Sequence, residues 1–154
     1  MEDERIKALQ KMPIFGGIRE EILRLILNVA PVVVVPQGDY FFREGDTGDA
    51  MFVLEAGKAA VYKHLRGQEC LLRTVNEGDC FGEMSLIDFS PRSASVRAVQ
   101  ECRALQISAS CISHVYEKDL EQFAMIEMNM AREVSRRLRE SDAERDPARL
   151  SPDG

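Results

Sequence analysis

The hydrophobic rhythm of the chain changes twice. Up to Pro31, apolar residues recur at helical spacing: in IREEILRLILNVA, Ile18, Ile22, Leu25, Ile26 and Val29 fall near a 3.6-residue period, and Pro31 ends it. MPIFGG ahead of this segment predicts a bend between two short helices. From Val32 to Ile107 the rhythm gives way to short β-type runs: VVVV, YFFR, AMFVLE, KAAVYKH, CLLRTV, ASVRAV and CRALQI. They are divided by PQGD, EGDTGD, AG, RGQE and NEGD. Evenly spaced short strands of this kind predict a sandwich, jelly roll or barrel. Only EMSLID interrupts them, with one predicted helical turn. After Ile107 the helical period returns. Asp119 with Gln122 three residues on resembles a capping box, opening the long amphipathic segment LEQFAMIEMNMAREVSRRLRE.

The expected fold is therefore mainly β. A jelly-roll-like β-roll over residues 32–107 is flanked by short N-terminal helices within 1–30 and by C-terminal helices over 110–140, the last of them long. Residues 1–140 form a single domain, and the polar segment 141–154, with two prolines, is expected to be a disordered tail. The long helix carries two apolar stripes. Phe123, Ile126, Met130 and Val134 form one; Ala124, Met128, Ala131, Ser135 and Leu138 form the other. One stripe can cover the β-roll, and the second suggests a homodimer seam.

Composition narrows the partners. With 154 residues the chain is long enough to bury a core of its own. A net charge of −6 argues against non-specific binding to nucleic acid or an anionic membrane. No apolar run approaches the roughly 18 residues of a membrane span. MEDERIKALQKM is too charged for a signal peptide. Cys70, Cys80, Cys102 and Cys111 form no CxxC pair, and the only histidines are His64 and His114. Free, largely buried thiols in a reducing cytoplasm are the simplest reading. A metal site and a resident cofactor are not expected.

The candidate chemistry lies in FGEMSLIDFSPRSASVRA, residues 81–98. A lone arginine in so apolar a stretch is costly unless it meets an anion. Arg92 meeting Glu83 in a structural ion pair is one reading. The other is a ligand pocket. Gly82 lets backbone approach a ligand closely, and a helical turn opening at Glu83 exposes unpaired N–H groups. Arg92 can grip phosphate oxygens with a planar fork, and Ser93 can add a hydroxyl. Glu83, an acceptor only when ionised, suits a sugar hydroxyl. Together these describe a site for a nucleotide with one compact phosphate. A triphosphate would call for GxxxxGK[ST], which the chain lacks.

This cassette resembles the phosphate-binding cassette of cyclic nucleotide-binding domains, roughly FGE-(L/M)-(A/S)-L followed by PR-small-A-(S/T)-V. Upstream, GDYFFREGDTGDAMFVLEAGKAAVY resembles the first half of the same family, including glycines 38, 45, 48 and 57. The resemblance spans residues 8–140 and extends to kinase regulatory subunits and the sensor half of catabolite activator proteins. It implies a sensor of cAMP or cGMP without catalysis of its own. Glu83 would bind the ribose 2′-hydroxyl and Arg92 the cyclic phosphate. Phe81, Gly82, Met84, Ser85, Ser93 and Ala94 would complete the ligand-binding set. Leu86 would relay binding to the C-terminal helix, and Arg136, Arg137 and Leu138 fall where the family places a lid over the base. The nine-residue step from Glu83 to Arg92, with Pro91, is kinase-like; Ser93 is activator-like and implies a modest preference for cAMP.

Other classes fit less well. EGDTGD groups Glu44, Asp46 and Asp49 but lacks the twelve-residue loop of a calcium hand. A metal-dependent cupin-like enzyme needs clustered histidines, and Ser85, Ser93 and Ser95 have no histidine or lysine base nearby in sequence. The truncated sensor half of a transcription regulator remains an alternative. Only about 14 residues follow Glu140, too few for a helix-turn-helix.

Overall fold

The computed structural model describes residues 2–144, with side chains through Glu140. The N-terminal helices are α1 (Glu2–Gln10) and α2 (Glu20–Val29), joined through a 3-10 turn at Pro13–Phe15. Eight strands follow: β1 (Val32–Val35), β2 (Tyr40–Phe42), β3 (Ala50–Ala56), β4 (Ala59–Leu65), β5 (Gln68–Val75), β6 (Cys80–Phe81), β7 (Ser95–Ala98) and β8 (Cys102–Ser108). The short helix α3 (Glu83–Asp88) lies between β6 and β7. The chain ends in α4 (Ala109–Lys118) and α5 (Leu120–Glu144).

The strands form two antiparallel four-stranded sheets, ordered β1-β8-β3-β6 and β2-β7-β4-β5. This is the expected jelly-roll-like β-roll with short N-terminal helices and a long C-terminal helix. "Mainly β" needs correction in one respect, since more residues are helical than extended, α5 alone contributing 25. The sequence runs also miss β6, whose two residues are too few to show alternation.

Strand β3 explains the layering. Its first five residues are all buried, because both of its faces are covered. Met51 and Val53 pack with Leu105 and Ile107 against the helices, in a cluster that includes Ile22, Ile26, Ile126 and Met130. Phe52 and Leu54 turn the other way, into a second cluster with Val61, Phe81, Val96 and Ala104 between the sheets. Of the α2 positions singled out by period, Ile22 and Ile26 are buried and Leu25 and Val29 only partly so.

The C-terminal helix has two differently held halves. Asp119 Oδ1 accepts a hydrogen bond from Gln122 N at 3.0 Å, so the expected aspartate cap is present. Gln122 does not close the box. Its Oε1 instead accepts from Arg19 N at 2.7 Å, and its Nε2 donates to Gly17 O at 3.4 Å. Two turns on, Asn129 donates to Ile14 O at 3.0 Å and Gly16 O at 2.9 Å. These ties clamp the first half of α5 to the 3-10 turn. Phe123, Ile126, Met130 and Val134 face the body of the domain, and Ala124, Met128, Ala131, Ser135 and Leu138 are exposed. The helix passes the expected boundary at Glu140 and reaches Glu144; the rest of the expected tail, 145–154, lies outside the described residues. No described helix is long and apolar enough to cross a membrane.

Candidate functional site

The site begins with a backbone turn. Gly82 sits at the end of β6 with φ +80°, a left-handed conformation that glycine adopts without penalty. That turn starts α3 at Glu83 and leaves the Gly82 carbonyl pointing at Arg92, whose Nη1 donates to it at 3.0 Å. A Cβ at Gly82 would lie 2.8 Å from the same nitrogen. Helix α3 ends at Phe89, also left-handed, with Phe89 N bonded to Ser85 O. Asp88 Oδ1 accepts from Ser90 N and Oγ, which steadies the return of the chain to Arg92.

Arg92 is only 6% exposed, yet among the described residues it makes no ion pair. Its guanidinium stacks on the Phe42 ring at 4.1 Å. The 44–48 loop wraps its other side. Arg92 N donates to Asp46 O and Gly45 N donates to Arg92 O, both at 2.8 Å. A Cβ at Gly48 would come within 2.5 Å of Nη2, so this glycine makes room for the arginine. The turn acids thus have structural work. Glu44 Oε1 accepts from His64 N, and Asp46 Oδ2 from Arg43 N. Burial holds the Arg92 pKa below the usual guanidinium value, while the charges of Asp49, Asp46 and Glu83 oppose that shift.

Glu83 is 2% exposed, and its partner is Arg137 of α5 rather than Arg92. This overturns the structural Arg92–Glu83 pair, because α5 brings Arg137 to the carboxylate while Arg92 turns onto Phe42. Arg137 Nη2 also donates to Cys80 O at 3.1 Å. The second oxygen of Glu83, Oε2, is buried without a hydrogen-bond partner. Burial, with the Glu83 charge adding, pushes the Cys80 thiol up to about 12.

These groups line one cavity of about 650 Å³. Gly82, Glu83, Met84, Ser85, Arg92, Ser93 and Ala94 all contribute to its wall, so the structure brings the cassette together around one space. Phe81 reaches the floor, but its ring stacks on Phe52 at 5.3 Å inside the core. Ser85 is buried and its hydroxyl donates to Ser90 O at 2.9 Å. Leu86 packs in the same cluster as Ile126 and Met130 of α5. Of the three lid candidates, Arg137 and Leu138 face the cavity; Arg136 turns away to pair with Glu133 and Glu140. Arg73, Leu71 and Leu72 of β5 also line it and were not singled out from the sequence. Strand alternation marks them as surface or core but does not say that the cavity is what they face.

A model of the family described as cyclic nucleotide-binding domain matches residues 32–119. Among curated proteins, the chain is 36% identical over 135 residues to the cyclic AMP receptor protein of Thermus thermophilus, covering 87% of this chain and 61% of that protein. It is 33% identical over 99 residues to a cAMP-dependent protein kinase regulatory subunit of Emericella nidulans, covering 64% of this chain and 24% of the relative. The crystal structure of the Thermus thermophilus catabolite activator protein superposes with a TM-score of 0.76 at 35% identity, over 87% of this chain and 62% of that one. The chain thus spans about three fifths of the first relative and a quarter of the second.

Proposed function

We propose a function from one premise: the chain belongs to the cyclic nucleotide-binding domain family. It binds a 3′,5′-cyclic purine mononucleotide and acts as a sensor, with no catalysis of its own. One observation carries this reading. A single cavity wall holds a buried arginine without a counter-charge among the described residues and, nine positions earlier, a buried carboxylate oxygen without a donor. Such groups are costly until a ligand satisfies both. A cyclic phosphate next to a ribose hydroxyl does so, with the phosphate on Arg92 and the 2′-hydroxyl on Glu83 Oε2. Backbone N–H groups of Gly82, Met84, Ser85 and Ala94 complete the phosphate cradle, with the Ser93 hydroxyl beside them.

Closure of α5 is the proposed signal. The free oxygen of Glu83 lets the 2′-hydroxyl bind without breaking the Arg137 pair. A bound base then gives Val134 and Leu138 something to cover. Both effects favour the closed position of the second half of α5, so ligand raises its population. The exposed stripe from Ala124 to Leu138 is the proposed homodimer seam, which concentration-dependent sedimentation tests. The free thiols support a reducing, cytoplasmic setting. Ser93 is exposed at the cavity edge and offers both purine nucleotides the same hydroxyl. The proposed modest preference for cAMP, about fivefold to tenfold, rests on Ser93 being the activator-like residue at this place.

Calorimetry with cAMP, cGMP and 5′-AMP tests the reading. Both cyclic nucleotides should bind saturably with one site per chain, and 5′-AMP at least about tenfold more weakly. Absence of binding by both cyclic nucleotides overturns it.

A further inference from the structure

The β-roll has a second opening. β1 and β2 are edge strands of opposite sheets, and a cavity of about 470 Å³ lies at the seam between them. Val33 and Val35 of β1, Tyr40, Phe41 and Phe42 of β2 and Phe52 of β3 form its apolar wall. The pairing of β2 shifts register between Tyr40 and Phe42, which lets three consecutive rings reach one space where a regular strand would alternate them. A cavity of this size, walled by apolar and aromatic side chains with a few polar groups, is the usual form of a small-molecule site.

The polar part of the wall is the loop from Asp46 to Asp49, with Gln106 of β8 and Arg92. Both aspartates are exposed, and among the described residues neither forms an ion pair. Asp46 Oδ2 accepts from Arg43 N, and the Asp49 carboxylate has no hydrogen-bond donor among the described residues. Arg92 is buried, and Gly48 of this wall lies against its Nε and Nη2, where a Cβ would come within 2.7 and 2.5 Å. An anion in this cavity would therefore face two carboxylates and a guanidinium edge that glycine covers. A cation would face the same two carboxylates beside rings that already attract positive charge. Arg43 stacks on Tyr40 and Arg92 on Phe42, both at 4.1 Å.

The wall is also shared. Phe42 and Arg92 line the 650 Å³ cavity as well, so the arginine stands between the two spaces. The same loop holds its backbone, through Arg92 N to Asp46 O and Gly45 N to Arg92 O. We infer that the seam between β1 and β2 is a second ligand site, taking a small organic ammonium ion with an aromatic body, and that its occupancy strengthens anion binding at Arg92 from the other cavity. The ammonium pairs with Asp49 and Asp46, and the body packs on Phe41 and the valines. The sign of the coupling follows from charge: a cation neutralises two carboxylates that would otherwise repel a phosphate across the shared wall, and it steadies the loop that positions Arg92. Only this coupling rests on the cyclic-nucleotide reading above; binding at the seam does not.

Tryptamine and indole-3-propionate test the site, because they carry one aromatic body with an ammonium or a carboxylate. In amide NMR spectra of the native chain, tryptamine should saturably shift residues 46–50, Val33 and Val35, and should bind at least about tenfold tighter than indole-3-propionate. Asp49→Asn should weaken tryptamine about fivefold or more. The comparison of the two probes on the native chain carries the test if that variant does not fold. In calorimetry, saturating tryptamine should tighten cAMP about fivefold, and cAMP should tighten tryptamine by the same factor. Equal binding of the two probes, or no saturable shift at 46–50, would overturn the site. So would shifts centred on Met84 and Leu138 with competition against cAMP, which would put tryptamine in the other cavity. Unchanged or weakened cAMP affinity would overturn the coupling. Failure of cAMP and cGMP to bind the native chain overturns the cyclic-nucleotide reading and the coupling with it, while the tryptamine shifts still decide the seam site.

Discussion

The two ends of the cavity are built in opposite ways. At the proposed phosphate and ribose end, Gly82, Glu83, Arg92 and Ala94 come from one continuous stretch, shaped by a left-handed glycine and a six-residue helix. At the other end, Arg73 comes from β5 and Arg137 and Leu138 from α5, more than 60 positions further along the chain. The first end is set by local backbone geometry. The second depends on where α5 lies: Gln122 and Asn129 tie its first half to backbone near the start of α2, and Arg137 ties its second half to Glu83 and Cys80 O beside the cavity. In the proposed reading, the first end holds the ligand and the second reports that it is there.

The largest expected effect lies at the cassette end. Arg92→Ala should weaken cyclic nucleotide binding by about 3 kcal/mol, roughly a hundredfold, because a charge-assisted contact to a desolvated phosphate is lost. The fold should survive, since among the described residues Arg92 pairs with no carboxylate, while Glu83 keeps its Arg137 partner when Arg92 is removed. Calorimetry on the folded variant checks this, and unchanged affinity would remove the phosphate role.

A smaller effect separates ribose from phosphate. Glu83→Gln keeps the side-chain shape but weakens the acceptor, and should weaken a 3′,5′-cyclic ribonucleotide about tenfold while changing its 2′-deoxy analogue much less. Equal losses for both ligands would mean that Glu83 serves only to hold Arg137.

The contrast within α5 is sharpened by hydrogen exchange. Saturating ligand should slow the amides of residues 131–140 by about fivefold or more and leave those of 120–130 unchanged. Slowing spread evenly along the helix, or none at all, would count against a lid hinged near its middle. Asn129→Ala probes the anchored half directly. It leaves the Ile14 and Gly16 carbonyls without their donor, which should lower stability by about 1–3 kcal/mol and Tm by a few degrees without altering the cAMP to cGMP affinity ratio. A changed ratio would tie the anchor to the α5 end of the cavity.

The smallest effect concerns the thiols. Burial raises the pKa of Cys80 to about 12 and of Cys111 to about 11, and that of Cys102 as well, so each is protonated and inaccessible in the native state. Only the partly exposed Cys70 should react quickly with a thiol reagent. Ligand should slow labelling of Cys80 further, because it lies next to the Arg137 tie.

By itself the sequence determined the parts whose cause is local. Alternation and helical period marked seven of the eight strands and the helices at both ends, because those rhythms record which face of an element is buried. The cassette was legible for the same reason: a glycine that must turn left-handed, a carboxylate at a helix start and an arginine after a proline are all properties of a short stretch. Asp119 was legible as a cap, since its acceptor lies three residues from its donor. Tertiary structure decided the partners. Glu83 meets Arg137 across 54 positions, and Gln122 serves the start of α2 rather than its own helix. Arg73 showed only as one charged residue in a strand until the closing of the β-roll under α5 put it inside a cavity. Local rhythm says that a side chain is covered; what covers it depends on sheet order and helix placement, which join residues the chain holds far apart.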